Sequence, residues 1–312
     1  MRKSTKLLLG LGVAIATPVI INHVIAKKAE ARIKELTPPS EPYAPNVYNW
    51  EYGDISYTKM GEGKPMLLLH GIYPGASGFE WEDLVEILAE DYTVYVPDLL
   101  GFGYSSKPAI DYSSYLLVRL IKDFAENVIG EPATAIASLH TAAALASCAA
   151  LNPEDFEKIV LISPTGLEAE TPLAQDEDGI VKKALESPIF GTSVYNALCS
   201  KKGLAAFYEN EGHYFDEEEL DRVYLAAHAG GANGKYAMAA LLGKFFNTDI
   251  KQTLTELNVP YSIVTGENKS DDDGFNLYGD IADTYEVKTI ELTGLMPHTE
   301  APQQFYDTFK TL

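Results

Sequence analysis

"VPDLLGFGYSSKP" occupies residues 96–108. It finishes a short apolar run, "TVYVPD" (93–98), and breaks at once into a loop holding two glycines and two serines. An apolar run without polar alternation reads as a strand covered on both faces. A glycine-rich turn at the carboxyl end of such a strand is where α/β sheets hold their ligands.

The same form recurs on either side. "PMLLLHG" (65–71), "ATAIAS" (133–138), "FEKIVLISPTG" (156–166), "VPYSIVTGE" (259–267) and "TYEVKTIELTG" (284–294) are strand-like. "FEWEDLVEILAEDY" (79–92), "SYLLVRLIKDFAENVIG" (114–130) and "AAALASCAALNP" (142–153) carry apolar residues at helical spacing. Upstream, "WEYGDISYTKM" (50–60) alternates weakly and stops at the turn "GEGKP", as a strand of an antiparallel hairpin does. Alternating β and α elements predict an α/β fold with a mostly parallel sheet and helices on both faces. Between residues 166 and 250 the alternation stops and the chain leans helical, with "SPIFGTSVYNALCSKK" and "KYAMAALLGKFF" as its apolar pieces. So long an insertion is no loop. It is expected to be a helical cap over the carboxyl ends of the strands.

The amino end reads differently. Basic "MRKSTK" is followed by a run of apolar residues, "LLLGLGVAIATPVIINHVIA" (7–26), and then by "KKAEARIK". About 20 helical residues span about 30 Å, enough for the hydrocarbon core of a bilayer. Residues 1–36 are expected to be an N-terminal transmembrane anchor, with lysines at both ends leaving the side of the membrane undetermined. "TPPSEPYAPN" (37–46) lies in a proline-rich linker, residues 37–47. The expected core is then 48–165 and 251–312, with the cap between them.

Composition bounds the chemistry. The chain of 312 residues has a net charge of −21 from 24 basic and 45 acidic residues. Beyond residue 36 there remain 17 basic against 43 acidic residues, a net −26. Such a domain is repelled by nucleic acid and by anionic membranes, and is expected to stand off the bilayer. Two cysteines, Cys148 and Cys199, and six scattered histidines give neither a disulfide framework nor metal spacing. No metal and no cofactor is expected.

Five segments, in order, resemble the α/β-hydrolase family in its lipase- and esterase-like branch with a helical cap. "LLLHG" (67–71) is similar to the strand entering the His-Gly oxyanion loop, and "VPDLLGFGYSSKP" to the Asp-x-x-Gly-x-Gly-x-Ser segment. "LNPEDFEKIVLISPTG" (151–166), "VPYSIVTGE" and "GLMPHTEAPQQF" (294–305) resemble three later family segments. The resemblance covers about residues 48–312. It implies a Ser-His-acid triad, in which histidine takes the serine's proton and a carboxylate orients the histidine.

The residues at those places differ. No G-x-S-x-G occurs, and the elbow must form from "AIASLHTAAAL" (135–145). Small flanking residues put His140 at the nucleophile position; counting back from Pro153 selects Leu139. Ser138 is the one hydroxyl available as a substitute. The family's acid position falls on Lys269, with Asp271, Asp272 and Asp273 following. The base position falls on Leu295, and His298 matches a second histidine that many relatives carry in addition to the base. His70, Gly71 and Ile72 form the expected oxyanion loop and, with Leu139, the pocket wall. Asp98 and Ser105 look like structural members of their loop. The leading expectation is a membrane-tethered protein without the triad that binds a small apolar ligand or a partner under its cap. One alternative is a carboxylic-ester hydrolase using Ser138 or His140 with His298 and an acid from 271–273. The other is an acidic scaffold.

Overall fold

The computed structural model describes residues 46–168, 170–210, 215–267 and 285–312, with six helical positions between 21 and 28. Most of the apolar amino-terminal run, together with Lys269, Asp271, Asp272 and Asp273, lies outside the described residues. Among the described residues no helix is long and apolar enough to cross a membrane.

Eight strands form one sheet in the order β1-β2-β4-β3-β5-β6-β7-β8. β1 (Asn46–Trp50) and β2 (Gly53–Met60) form the antiparallel hairpin, and β2 also runs antiparallel to β4 (Tyr92–Pro97). From β4 onward the ladder is parallel through β3 (Lys64–Leu69), β5 (Ala133–Ser138), β6 (Phe156–Ile162), β7 (Tyr261–Gly266) and β8 (Val287–Ile290). β3 shows why its sequence carries no polar alternation. Leu67 and Leu69 belong to the core on one face, Met66 and Leu68 to the core on the other, and all four are buried. Each such side chain contributes about 1.5–3 kcal/mol of transfer free energy.

Helices α1 (Glu82–Leu88), α2 (Ser114–Phe124) and α3 (Leu139–Leu151) follow β3, β4 and β5. α3 is "LHTAAALASCAAL", mostly alanine, so it lies close against α2 and the sheet with Ala142–Ala146 buried. The segment after β6 holds α4 (Asp176–Glu186), α5 (Phe190–Leu198), α6 (Lys201–Asn210), α7 (Glu217–His228) and α8 (Lys235–Leu242). α9 (Lys251–Glu256) leads into β7, and α10 (Pro297–Glu300) and α11 (Pro302–Phe309) close the chain.

Near the carboxyl end of the apolar run, Asn22 accepts a hydrogen bond from Asn196 Nδ2 at 2.8 Å and donates to Ser193 Oγ at 3.4 Å, both on α5. The carboxyl end of the apolar run lies on the helical insertion.

Candidate functional site

The site is built where β3 and β5 end side by side. At the end of β5 the backbone turns sharply, and Leu139 takes φ 54° as the first residue of α3. A non-glycine residue in the left-handed region costs roughly 1–2 kcal/mol. It is the strained strand-to-helix turn that presents a nucleophile in the folds this sequence resembles. The residue in the left-handed region at this turn is Leu139, which the count back from Pro153 selects, and not His140, which small flanking residues select.

Leu139 sits against the loop that follows β3. A Cβ built on Gly71 would meet Ser138 Oγ at 2.8 Å, the Tyr73 ring at 3.0 Å and Leu139 Cδ1 at 3.2 Å, so only glycine fits there without a shift. Leu139 and Leu295 are both half-buried and pack on the apolar cluster that includes Ile72 and Tyr73.

His70 is buried and structural. Its Nε2 accepts from the Leu99 amide at 2.9 Å, which places the ring proton on Nδ1, where it meets Gly71 O at 2.7 Å. Asp98 fastens the glycine-rich loop: its carboxylate accepts from the amides of Gly78 and Tyr104, each at 2.7 Å. Ser105 Oγ donates to Asp98 O at 2.6 Å. Both residues play the structural role expected of them.

The centre of the site is a residue that sequence reasoning missed, Glu80. It lies in a 3₁₀ turn, Gly78–Trp81, ahead of α1. Its Oε2 accepts from the Gly71 amide at 2.8 Å and from Tyr73 OH at 2.5 Å. Its Oε1 accepts from Ser138 Oγ at 2.5 Å and meets His298 Nε2 at 2.8 Å. Ser138 and His298 are thus gathered around one carboxylate oxygen. The order is serine–glutamate–histidine, with the carboxylate between the other two.

Burial would raise the Glu80 pKa, but hydrogen bonding and charge from His298, and the Ser138 hydroxyl, outweigh it, holding the carboxyl below its ordinary value. The His298 ring lies on Trp81 with centroids 4.5 Å apart. Its helix, α10, is shaped by Glu300, which accepts from the amides of Gly294 at 2.7 Å and Met296 at 3.2 Å. That is the physical job of the Glu-x-Pro signature.

His140 is drawn elsewhere. Asn247 Nδ2 donates to Pro172 O, which turns its Oδ1 toward His140 Nε2 at 3.1 Å. Burial pushes the His140 pKa below 6.5 despite that hydrogen bond, and burial does the same to His228. A histidine with a depressed folded pKa adds no proton on folding, whereas the unfolded chain binds one below about 6.5. Stability should therefore fall as pH drops through 6.5, by up to about 1.4 kcal/mol per pH unit for each group. Urea midpoints between pH 8 and pH 5 test this, and a His140→Gln slope equal to wild type would contradict it for that residue.

Beside this network a cleft of about 280 Å3 opens between the residues after β3 and helices α6 and α7. Rings of Tyr73, Phe79 and Tyr208 line it, together with Glu82, Asp83, Glu219 and Arg222. The polar network stands behind its wall. Glu80 borders the cleft, yet its side chain and that of His298 are 0% exposed, and Ser138 is 0% exposed. Among the described residues no cluster of histidine, cysteine or carboxylate side chains could hold a metal ion.

Comparison with known proteins agrees with this architecture. The model of the alpha/beta hydrolase family matches residues 66–308. A 2-hydroxy-6-oxo-6-(2'-aminophenyl)hexa-2,4-dienoic acid hydrolase of Metapseudomonas resinovorans is 35% identical over 38% of this chain and 41% of its own length. A pimeloyl-[acyl-carrier protein] methyl ester esterase of Aeromonas hydrophila is 27% identical over 68% of this chain and 80% of its own. The first curated relatives are matched over less than half of their length. Among solved structures, a serine hydrolase of carbazole degradation superposes with TM-score 0.68 at 20% identity, covering 86% of this chain and 98% of the other. A membrane phospholipase A superposes with TM-score 0.67 at 19% identity, covering 98% and 97%. At these identities the two superpositions speak to the fold.

Proposed function

The chain belongs to the alpha/beta hydrolase family, and from that premise we propose a membrane-tethered hydrolase-fold protein that binds its ligand without turning it over. The observation that carries this reading is the elbow. Leu139 stands in the strained position, and the neighbouring Ser138 hydroxyl is buried and donated to Glu80. A leucine cannot attack a carbonyl, and a serine at 0% exposure meets no substrate. The tether is the apolar run 7–26, and residues 166–250 serve as the cap.

The ligand site is the cleft under α6 and α7. Its volume suits a small molecule. Aromatic rings beside carboxylates and a guanidinium favour a ligand with an apolar body and a polar end, in place of the wholly apolar one expected from sequence.

A second reading, ester hydrolysis, draws on one contact. Ser138 Oγ lies 2.5 Å from Glu80 Oε1, within reach for a carboxylate to take its proton, with His298 on the same oxygen. Against it, the lowered Glu80 pKa makes a weak base, and His298 has no hydrogen bond to the serine. A serine-directed fluorophosphonate probe and p-nitrophenyl ester turnover separate the two readings. The binder reading expects no labelling, and turnover in Ser138→Ala within about twofold of wild type, because Ser138 then contributes no transition-state stabilisation. Labelling and turnover that vanish together in Ser138→Ala would establish the hydrolase instead.

A further inference from the structure

The helical insertion carries an apolar face that the domain leaves uncovered. Ile180 and Val181 on α4 are 71% and 48% exposed, and Phe190 at the start of α5 is 60% exposed. α4 and α5, which carry these side chains, pack on each other and on α8. Isolated exposed hydrophobes are ordinary; a group on two neighbouring helices asks for an occupant.

What lies beside that face identifies the occupant. Asn22, near the carboxyl end of the apolar run 7–26, is hydrogen-bonded to Ser193 and Asn196 of α5. Ser193 is one helical turn from Phe190. Asn22 belongs to the run 7–26, whose length is about what the hydrocarbon core of a bilayer requires. Where that segment leaves the lipid, α5 is therefore next to it.

The domain beyond residue 36 carries a net −26 and α4 opens with Asp176, Glu177 and Asp178, while exposed lysines stand at other ends of these elements. Lys27 and Lys28 follow the run, Lys183 is in the last turn of α4, and Lys202 is in the first turn of α6. Amphipathic surfaces that lie on membranes pair an apolar stripe with flanking lysines.

We infer that the α4–α5 face of the cap rests on a lipid bilayer, with Phe190 and Ile180 in the headgroup–acyl boundary, so that the tether and the cap make one membrane-facing surface. This rests on the tether proposed above. It replaces a domain held clear of the membrane by one lying on it.

The test uses the full chain reconstituted into phosphatidylcholine–phosphatidylglycerol vesicles. An environment-sensitive fluorophore is placed at Phe190→Cys or Ile180→Cys, with Leu151→Cys as the control. Leu151 is 72% exposed and ends α3, on the core side of the fold. Cys148 and Cys199 are each 0% exposed and do not compete for the label. Vesicle binding should blue-shift the emission and raise its intensity about twofold or more at positions 180 and 190, as burial among acyl chains does. Position 151 should stay unchanged. Protein that floats with the vesicles while 180 and 190 stay silent would overturn the membrane face and leave the tether intact. Protein that does not float would remove the tether and this inference together. A shift without lipid, growing with protein concentration, would assign the face to a second copy of the chain and overturn the proposal as well.

Discussion

Glu80→Ala should cost about 3–5 kcal/mol of folding stability, because removing one member of a buried polar network strands the rest. The alanine leaves Ser138 Oγ, Tyr73 OH, the Gly71 amide and His298 Nε2 without their common acceptor. Ser138 and the His298 side chain are 0% exposed in the intact protein. A domain of this kind has about 5–15 kcal/mol in total, so the urea midpoint should fall by about a fifth or more. Glu80→Gln should be milder, about 2 kcal/mol, since one amide oxygen remains but its NH2 faces further donors. The sign with pH follows from the depressed folded pKa. The carboxylate's contribution is fully present above the unfolded value of 4.5 and is lost as pH falls through the folded one. The gap between wild type and Glu80→Ala should therefore narrow in acid. A midpoint change worth less than about 1 kcal/mol at neutral pH would mean that the network is ornamental.

Gly266→Ala is the second large effect expected. A Cβ there would stand 2.1 Å from Gly294 O and 2.2 Å from Thr293 O, both backbone atoms that no rotamer can move. The end of β7 and the turn after β8 must part, and overpacking of this kind costs about 3 kcal/mol. The turn that moves carries Leu295 and, through Glu300, the helix bearing His298. Loss of stability should therefore come with a changed environment for Trp81, which stacks on His298. Near-ultraviolet circular dichroism together with thermal unfolding reads both, and an alanine variant with wild-type Tm and spectrum would show that the strands separate freely.

Much of the framework was legible because it depends on local pattern. "PMLLLHG" could only be a strand covered twice, since four consecutive apolar residues face alternately into two cores. The insertion after β6 lost its strand signals and is helical throughout its regular elements. The elbow was legible to within one residue: small neighbours flank both Leu139 and His140, and only the backbone angle tells them apart. Glu80 was not legible. In "GFEWEDL" it looks like Glu82 and Asp83, a polar position on an amphipathic turn. Its burial is imposed by Ser138, 58 residues on, and His298, 218 residues on. No window of local sequence contains that information.

The sheet order has a kinetic corollary. β6 and β7 are neighbours in space, yet the whole of residues 163–260 separates them. Closing a long excursion costs little at equilibrium, about 0.6 kcal/mol for each doubling of its length. It does delay the pairing, since distant strands meet only after the ordering of what lies between. β7, β8 and α10 should be the last elements to dock and the first to leave. The His298–Glu80 contact then acts as a latch between early and late parts of the chain. Native-state hydrogen exchange should find β7 and β8 opening as a unit, at lower free energy than β3 and β5.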